Sequence, residues 1–469
     1  MSIKVFENVD YINEINNVNL NQRLIKYSLF MKFIINNSKE VKILNLAKSI
    51  YEKSREVPSG ALTAIFADPS FGFWLYISKC IENRLINNEK VPISDLPHMH
   101  FLNGGDDFLY YHLIDLNRWI LGACMLSKLN FESLILIRNQ KLYIPIMGIV
   151  FDKLLGELIQ NVKFVGTLNQ SSIIINQNEY NDLNEIIKLA NTGGISNIEK
   201  NNIYITPSLL MSGGKILLDH EDPIITNGWS SLYKNPDGTK YILTNRNEVL
   251  DNYKYFFEAS KLIHENWPEI AFNISKVLQN IHVIVSPYTD KHVSCTAAHY
   301  YGSILVSFGN EYLLAEAIVH EYSHNLLNMI IANGDMFDGE IPNEEIYYSP
   351  WRNDPRHISG LLHAVFVFNN VGKLLDKILK TSLNEFVYER ILNTIVKLIM
   401  GIKILKEYEF KTDFARNFIH DLEDDINELK NKYIEKDLAI KYEIQLEHLK
   451  IWMKKNPNLI IDRKILNYS

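Results

Sequence analysis

His320 and His324 stand four residues apart in the stretch AIVHEYSHNLLNMI, residues 317–330, with Glu321 directly after the first. Four residues of α-helix turn through about 400°, which leaves two side chains about 40° apart on one face. Two imidazoles so placed reach one ion from the same side. Glu321 projects from the neighbouring edge, where a carboxylate touches a metal-bound water or steers a ligand. Leu313, Ala317, Leu327 and Ile331 share the histidine face. Imidazole nitrogens inside such an apolar stripe cost free energy unless something bonds them, and a metal ion does. The plain alternative is a chance H-E-x-x-H on a helix with two satisfied core histidines.

A metal site needs a third ligand. The extended pattern H-E-x-x-H-x-x-G-x-x-H fails, because Leu327 stands at the glycine position and Ile330 at the third histidine. Glu344 and Glu345 have the separation of a thermolysin-like carboxylate ligand, but GEIPNEEIYYSPW places them between prolines, in a loop. His363, in HISGLLHAVFVFNN, lies in a segment apolar almost all round, which predicts a buried helix. A lone histidine there is either a core residue or the missing ligand, and the metal helix upstream favours the ligand. Between them, YYSPWRNDPRH (347–357) holds two prolines, Trp351, Arg352 and Arg356. Arginine binds carboxylates through paired hydrogen bonds. The two arginines either pair with Asp354 structurally or serve a small bidentate acid, such as a 2-oxo acid, beside the metal.

The elements that must position these residues follow from periodicity. Apolar residues at three- and four-residue spacing predict a helical N-terminal region, 1–130. Short alternating runs predict a β-rich middle segment, 131–245. Helix returns in a catalytic region, 246–469, where HVIVSPY and GSILVSFG read as two strands. Asn310 is placed to cap the helix Glu311–Ile331, and Asn333-Gly334 to end it. The expected class is α+β, predominantly helical, with the metal-site helix following a β-hairpin as in a zincin-like local motif. The last 60 or so residues read as amphipathic helices packed within the molecule.

The 469 residues carry a formal net charge of -7, which argues against broad nucleic-acid binding. Three cysteines, Cys80, Cys124 and Cys295, form no C-x-x-C and read as idle thiols of a reducing compartment. The N-terminus has no apolar run long enough for a signal peptide, and no stretch approaches the roughly 20 apolar residues that span a bilayer. These readings make the protein cytoplasmic, without a membrane partner.

LAEAIVHEYSHNLLN followed by YYSPWRNDPRHISGLLHAVFVF resembles the HExxH-containing peptide-modification proteins found beside ribosomal peptide natural-product genes. The resemblance covers residues 300–370, and extends more weakly to FADPSFGFWLY near residue 70. It implies an Fe(II)- and 2-oxoglutarate-dependent dioxygenase, with O2 as co-substrate, that β-hydroxylates a side chain of a precursor peptide. His320, His324 and His363 would be the iron ligands, a set that differs from the usual two histidines and one carboxylate. Arg352, with Arg356 as second choice, would hold the distal carboxylate of 2-oxoglutarate. Glu321 would orient ligands or substrate. The strands at 282–308 would dock the peptide, with His299 or Tyr300 facing the site. The competing reading is an HExxH zinc metallopeptidase with Glu321 as general base on a metal-bound water.

Overall fold

The computed structural model describes residues 9–87, 89, 108–167, 170–194, 199–200, 202–222, 242–286, 288, 292–297, 300–334, 336–338, 343–344, 346–457 and 459. The chain divides into two compact units. One takes residues 17–254 and 278–308, the other residues 1–16, 255–277 and 309–469. The class is mixed and mainly helical, as the periodicity predicts.

Six helices come first among the described residues: α1 (Val9–Asn37), α2 (Val41–Glu56), α3 (Ser59–Ala67), α4 (Pro69–Ile86), α5 (Phe108–Asp115) and α6 (Asn117–Ser127). The FADPSFGFWLY stretch is the start of α4. Asp68 caps it, accepting hydrogen bonds from the Phe71 amide at 3.1 Å and the Ser70 hydroxyl at 2.5 Å. It also accepts one at 3.0 Å from the indole N–H of Trp119, so a buried aspartate ties α4 to α6. Pro69 at the first turn costs no helical hydrogen bond.

Strands follow, with one helix among them that was not read from the sequence, α7 (Leu183–Thr192). One antiparallel sheet takes β1 (Phe131–Leu136), β4 (Ile159–Gly166), β5 (Ser171–Ile175) and β6 (Asn178–Tyr180). A second takes β2 (Leu142–Ile144), β3 (Ile149–Phe151), β8 (Ile203–Ile205) and β7 (Glu199–Lys200). The third runs in the order β13 (Ser294–Cys295), β14 (Ser303–Ser307), β12 (Asn280–Val285), β10 (Gly214–Asp219) and β9 (Ser208–Met211), with β11 (Ile242–Leu243) on β12.

Two corrections follow. HVIV and SILVS, the strands expected to form a hairpin before the metal helix, lie parallel, in register Asn280↔Ser303 to Ile284↔Ser307. The antiparallel partner of β14 is instead the two-residue β13. Moreover, β12 also pairs in parallel with β10, Leu217 opposite Asn280, so the strands assigned to a catalytic region complete a sheet begun in the middle segment. Parallel pairing joins segments far apart in sequence, and no local pattern announces it. Tyr300 is fully buried and stacks on Phe73 at 4.4 Å, a core residue of this unit; His299 lies outside the described residues.

The second unit contains α9 (Pro268–Val277), which follows α8 (Arg246–Asn266), and then the long helices. These are α10 (Glu311–Ala332), α11 (Ile358–Thr381), α12 (Glu385–Glu407), α13 (Asp413–Asn431) and α14 (Glu435–Lys455). Asn310 caps α10, its side chain accepting from the Leu313 amide at 2.9 Å, and Gly334 follows the helix at φ 83°. α11 packs on both α10 and α12. It is the one described helix long and apolar enough to cross a membrane, which corrects the expectation that no such stretch exists. Burial of 67% of that window inside the unit marks it as a core helix. None of the three cysteines forms a disulfide; Cys124 is buried and the other two are half-buried.

Candidate metal centre

α10 and α11 bring the three predicted histidines together. The Nδ1 atoms of His324 and His363 lie 3.0 Å apart, and their rings stack at 5.1 Å and 29°. His320 lies one turn before His324, ring centroids 5.0 Å apart, with its edge turned to Phe368 at 4.9 Å. A hydrogen bond from Asn370 Nδ2 to Ser323 Oγ, 3.0 Å and buried, fixes the two helices beside the pair. Ser323 in turn donates to the Val319 carbonyl at 2.7 Å.

Burial lowers the imidazoles of His320 and His363 from their ordinary value to about 4. It pushes His324 well below its usual range, with His320 and His363 adding to the effect. All three are therefore neutral at pH 7, with lone pairs available for a cation. Two nitrogens bound to one ion at about 2.1 Å sit about 3.0 Å apart at a right angle and about 3.4 Å apart at a tetrahedral angle. The 3.0 Å separation of His324 and His363 would let both nitrogens reach one ion. His320 stands back from that pair. The ligand atoms of His320, His324 and His363 do not all lie within 4.8 Å of one another; among the described residues the three that do are those of His420, Asp421 and Asp424 on α13, largely exposed.

Glu321 is buried, 2% exposed, and its Oε1 lies 3.9 Å from His320 Nε2. The backbone carbonyl of Glu321 accepts from Asn325 Nδ2 at 3.0 Å. Of the alternative third ligands, Glu344 is exposed in its loop and Glu345 lies outside the described residues.

The loop between the helices is closed by a two-way backbone bridge, Tyr347 N to Arg356 O at 3.0 Å and Arg356 N to Tyr347 O at 2.9 Å. Arg352 Nε donates to Asp354 Oδ1 at 2.9 Å, and Arg356 Nη1 lies 3.5 Å from Asp354 Oδ2. The structural Arg–Asp pairing weighed from the sequence is thus present, and both arginines share it. Their exposures differ, 49% for Arg352 and 34% for Arg356. Arg356 lies over Gly360, its Nε 3.6 Å from where a Cβ would stand. Gly360 is three residues before His363, so Arg356 covers the helix face that carries the third histidine.

Sequence reasoning missed the aromatic wall. Trp351 stacks on Phe368 at 5.1 Å and 13°, and Phe368 meets His320. Gly401, in the middle of α12, makes room for it: a Cβ there would stand 3.1 Å from the Trp351 ring and 2.7 Å from Val365. An isolated glycine in an apolar helical run, KLIMGIKILK, was the available signal.

The depressed imidazoles give a pH prediction. Their folded values lie below the unfolded value of about 6.5, so they stabilise the metal-free fold fully above that pH and lose the contribution as pH falls toward 4. The metal-free protein is expected to melt lower at pH 5 than at pH 7. Co(II) affinity is expected to stay within about threefold over the same range, because protons do not yet compete for the nitrogens. Three ordinary imidazoles would lose more than about a thousandfold. Titrating Co(II) at both pH values separates the two.

The chain was compared with family models and with curated proteins; it matches no family model and no curated protein.

Proposed function

We propose that the protein is an Fe(II)- and 2-oxoglutarate-dependent oxygenase that β-hydroxylates a side chain of a ribosomally made precursor peptide. The observation that carries this reading is the third histidine: His363 meets His324 nitrogen to nitrogen, from the helix that follows an arginine-bearing loop. His320, His324 and His363 would hold the iron. Three neutral imidazoles leave a divalent ion's charge uncompensated apart from Glu321, and a bidentate 2-oxo acid suits the balance. When bound, the iron would let O2, the oxidant, take two electrons from 2-oxoglutarate and two from a C–H bond of the peptide, giving succinate, CO2 and the hydroxylated side chain.

The chain's own residues bind, orient and exclude water. Arg356 is the better placed of the two arginines for the distal carboxylate of 2-oxoglutarate, with Arg352 beside it; both exchange Asp354 for the ligand. Phe368 and Trp351 present an apolar wall to His320, which keeps that side dry. Glu321 orients His320 or the substrate from its buried position.

The second reading, a zinc peptidase, is favoured by Glu321 lying within 3.9 Å of His320. The readings differ on Glu321→Gln. In a peptidase, loss of the general base costs about 10²–10⁴ in rate. In an oxygenase, the amide keeps the size of the side chain, and turnover of 2-oxoglutarate is expected to stay within about tenfold of wild type. The assay supplies Fe(II), 2-oxoglutarate, O2 and a candidate precursor peptide, and weighs the peptide. A gain of one oxygen supports the proposal; cleavage abolished by Glu321→Gln supports the peptidase.

A further inference from the structure

The loop that carries Arg352 and Arg356 is held from outside the two metal helices. Tyr348, 2% exposed, sits at its base and packs edge-on against Trp452 of α14 at 5.5 Å. Gln445, also on α14 and buried, donates from Nε2 to the Tyr348 hydroxyl at 3.0 Å and to the Pro350 carbonyl at 2.8 Å. The Tyr348 hydroxyl also lies 2.7 Å from His448 Nδ1, which itself stands 3.2 Å from Gln445 Nε2. One side chain of α14 thus holds the site loop at two points, Tyr348 and Pro350. Tyr348 and Pro350 flank Ser349, also buried, and Trp351 follows at once. From Trp351 the contact runs through Phe368 to His320.

We propose that α14 is a positioning element of the metal centre and that Gln445 is its central residue, setting where the 347–357 loop holds its arginines over α11. The inference rests on the proposed function only in what the loop binds. That the loop is held by Gln445 stands on the hydrogen bonds alone. The physical reason for a glutamine is that one amide donates to both a hydroxyl and a carbonyl two residues apart in the loop. A hydrophobic residue of the same size would leave both oxygens buried without it.

The test uses the full chain with Gln445→Leu and, as a milder cut, Tyr348→Phe. Amide hydrogen exchange is measured over the loop and over α10. Exchange at the Tyr347 and Arg356 amides is expected to quicken by about tenfold in Gln445→Leu and less in Tyr348→Phe, with α10 unchanged. In the Co(II)-loaded protein, Gln445→Leu is expected to weaken 2-oxoglutarate about tenfold while Co(II) affinity stays within about twofold. A merely structural role would move both affinities together with the melting temperature. Loop exchange unchanged in both variants, or a loss of Co(II) and 2-oxoglutarate affinity in equal proportion, would overturn the proposal. If the wild-type Co(II) protein binds no 2-oxoglutarate, the proposed function falls, and the exchange measurement still decides whether Gln445 holds the loop.

Discussion

Replacing His363 by alanine is expected to weaken Fe(II) or Co(II) binding by at least about 100-fold, about 3 kcal/mol. Loss of an outer contact to a metal ligand alone costs 10- to 100-fold in comparable sites, and loss of the ligand itself costs no less. The His324 nitrogen would then face a cavity where it now meets His363 at 3.0 Å. Because the cavity also destabilises the metal-free fold, His363→Gln is the companion variant. It keeps most of the volume and removes the imidazole, and it is expected to lose affinity by a similar factor at nearly wild-type stability. Equilibrium dialysis with Co(II) reads both. Affinity unchanged in both variants would return His363 to the status of a core histidine on an apolar helix.

The second large effect concerns the loop. Arg352→Gln and Arg356→Gln together are expected to raise the Kd of 2-oxoglutarate on the metal-loaded protein by about 100-fold, since each charged hydrogen bond to a carboxylate is worth about 1.5–3 kcal/mol. Arg356→Gln alone should carry most of it, because Arg356 covers the face of α11 that bears His363 and Arg352 is the more exposed. The control is 2-oxobutyrate, which keeps the keto acid end and lacks the distal carboxylate; its affinity should be the same in wild type and variant. Asp354→Asn removes the carboxylate that both arginines now share and is expected to leave 2-oxoglutarate binding equal or tighter. Asp354 itself is partly buried, which alone would raise its pKa, but the hydrogen bond and charge of Arg352, with Arg356, hold it below the ordinary carboxylate range. It therefore competes for the arginines as an anion throughout the neutral range.

Much of the site was legible because its parts are local. H-E-x-x-H on an apolar helix needs only the helical repeat, and Asn310 and Gly334 mark that helix's ends in the sequence and in the fold. His363 was singled out by asking what a two-histidine helix lacks, and in the fold its Nδ1 lies 3.0 Å from that of His324. The Arg–Asp pairing was also foreseeable, since three charges within five residues on a proline-bound loop have few partners but each other. What stayed hidden depends on long-range packing. The parallel pairing of β12 with β10 joins residues about 60 apart, and its strands carry no mark of direction. Gln445 reaches Tyr348 across 97 residues, and a glutamine in an amphipathic helix looks like any solvated position. Gly401 left a trace, a lone glycine in an apolar helix, but only the fold supplies the indole that needs the space.

The central claim, a three-histidine iron centre that turns over 2-oxoglutarate, is tested most directly by succinate formation. Protein loaded anaerobically with one Fe(II) is mixed with 2-oxoglutarate and O2, alone and with a candidate precursor peptide. Succinate is predicted from the wild type, with none from His363→Ala and none without O2. A wild type that holds its iron through the three histidines and yields no succinate, with or without the peptide, would contradict the account.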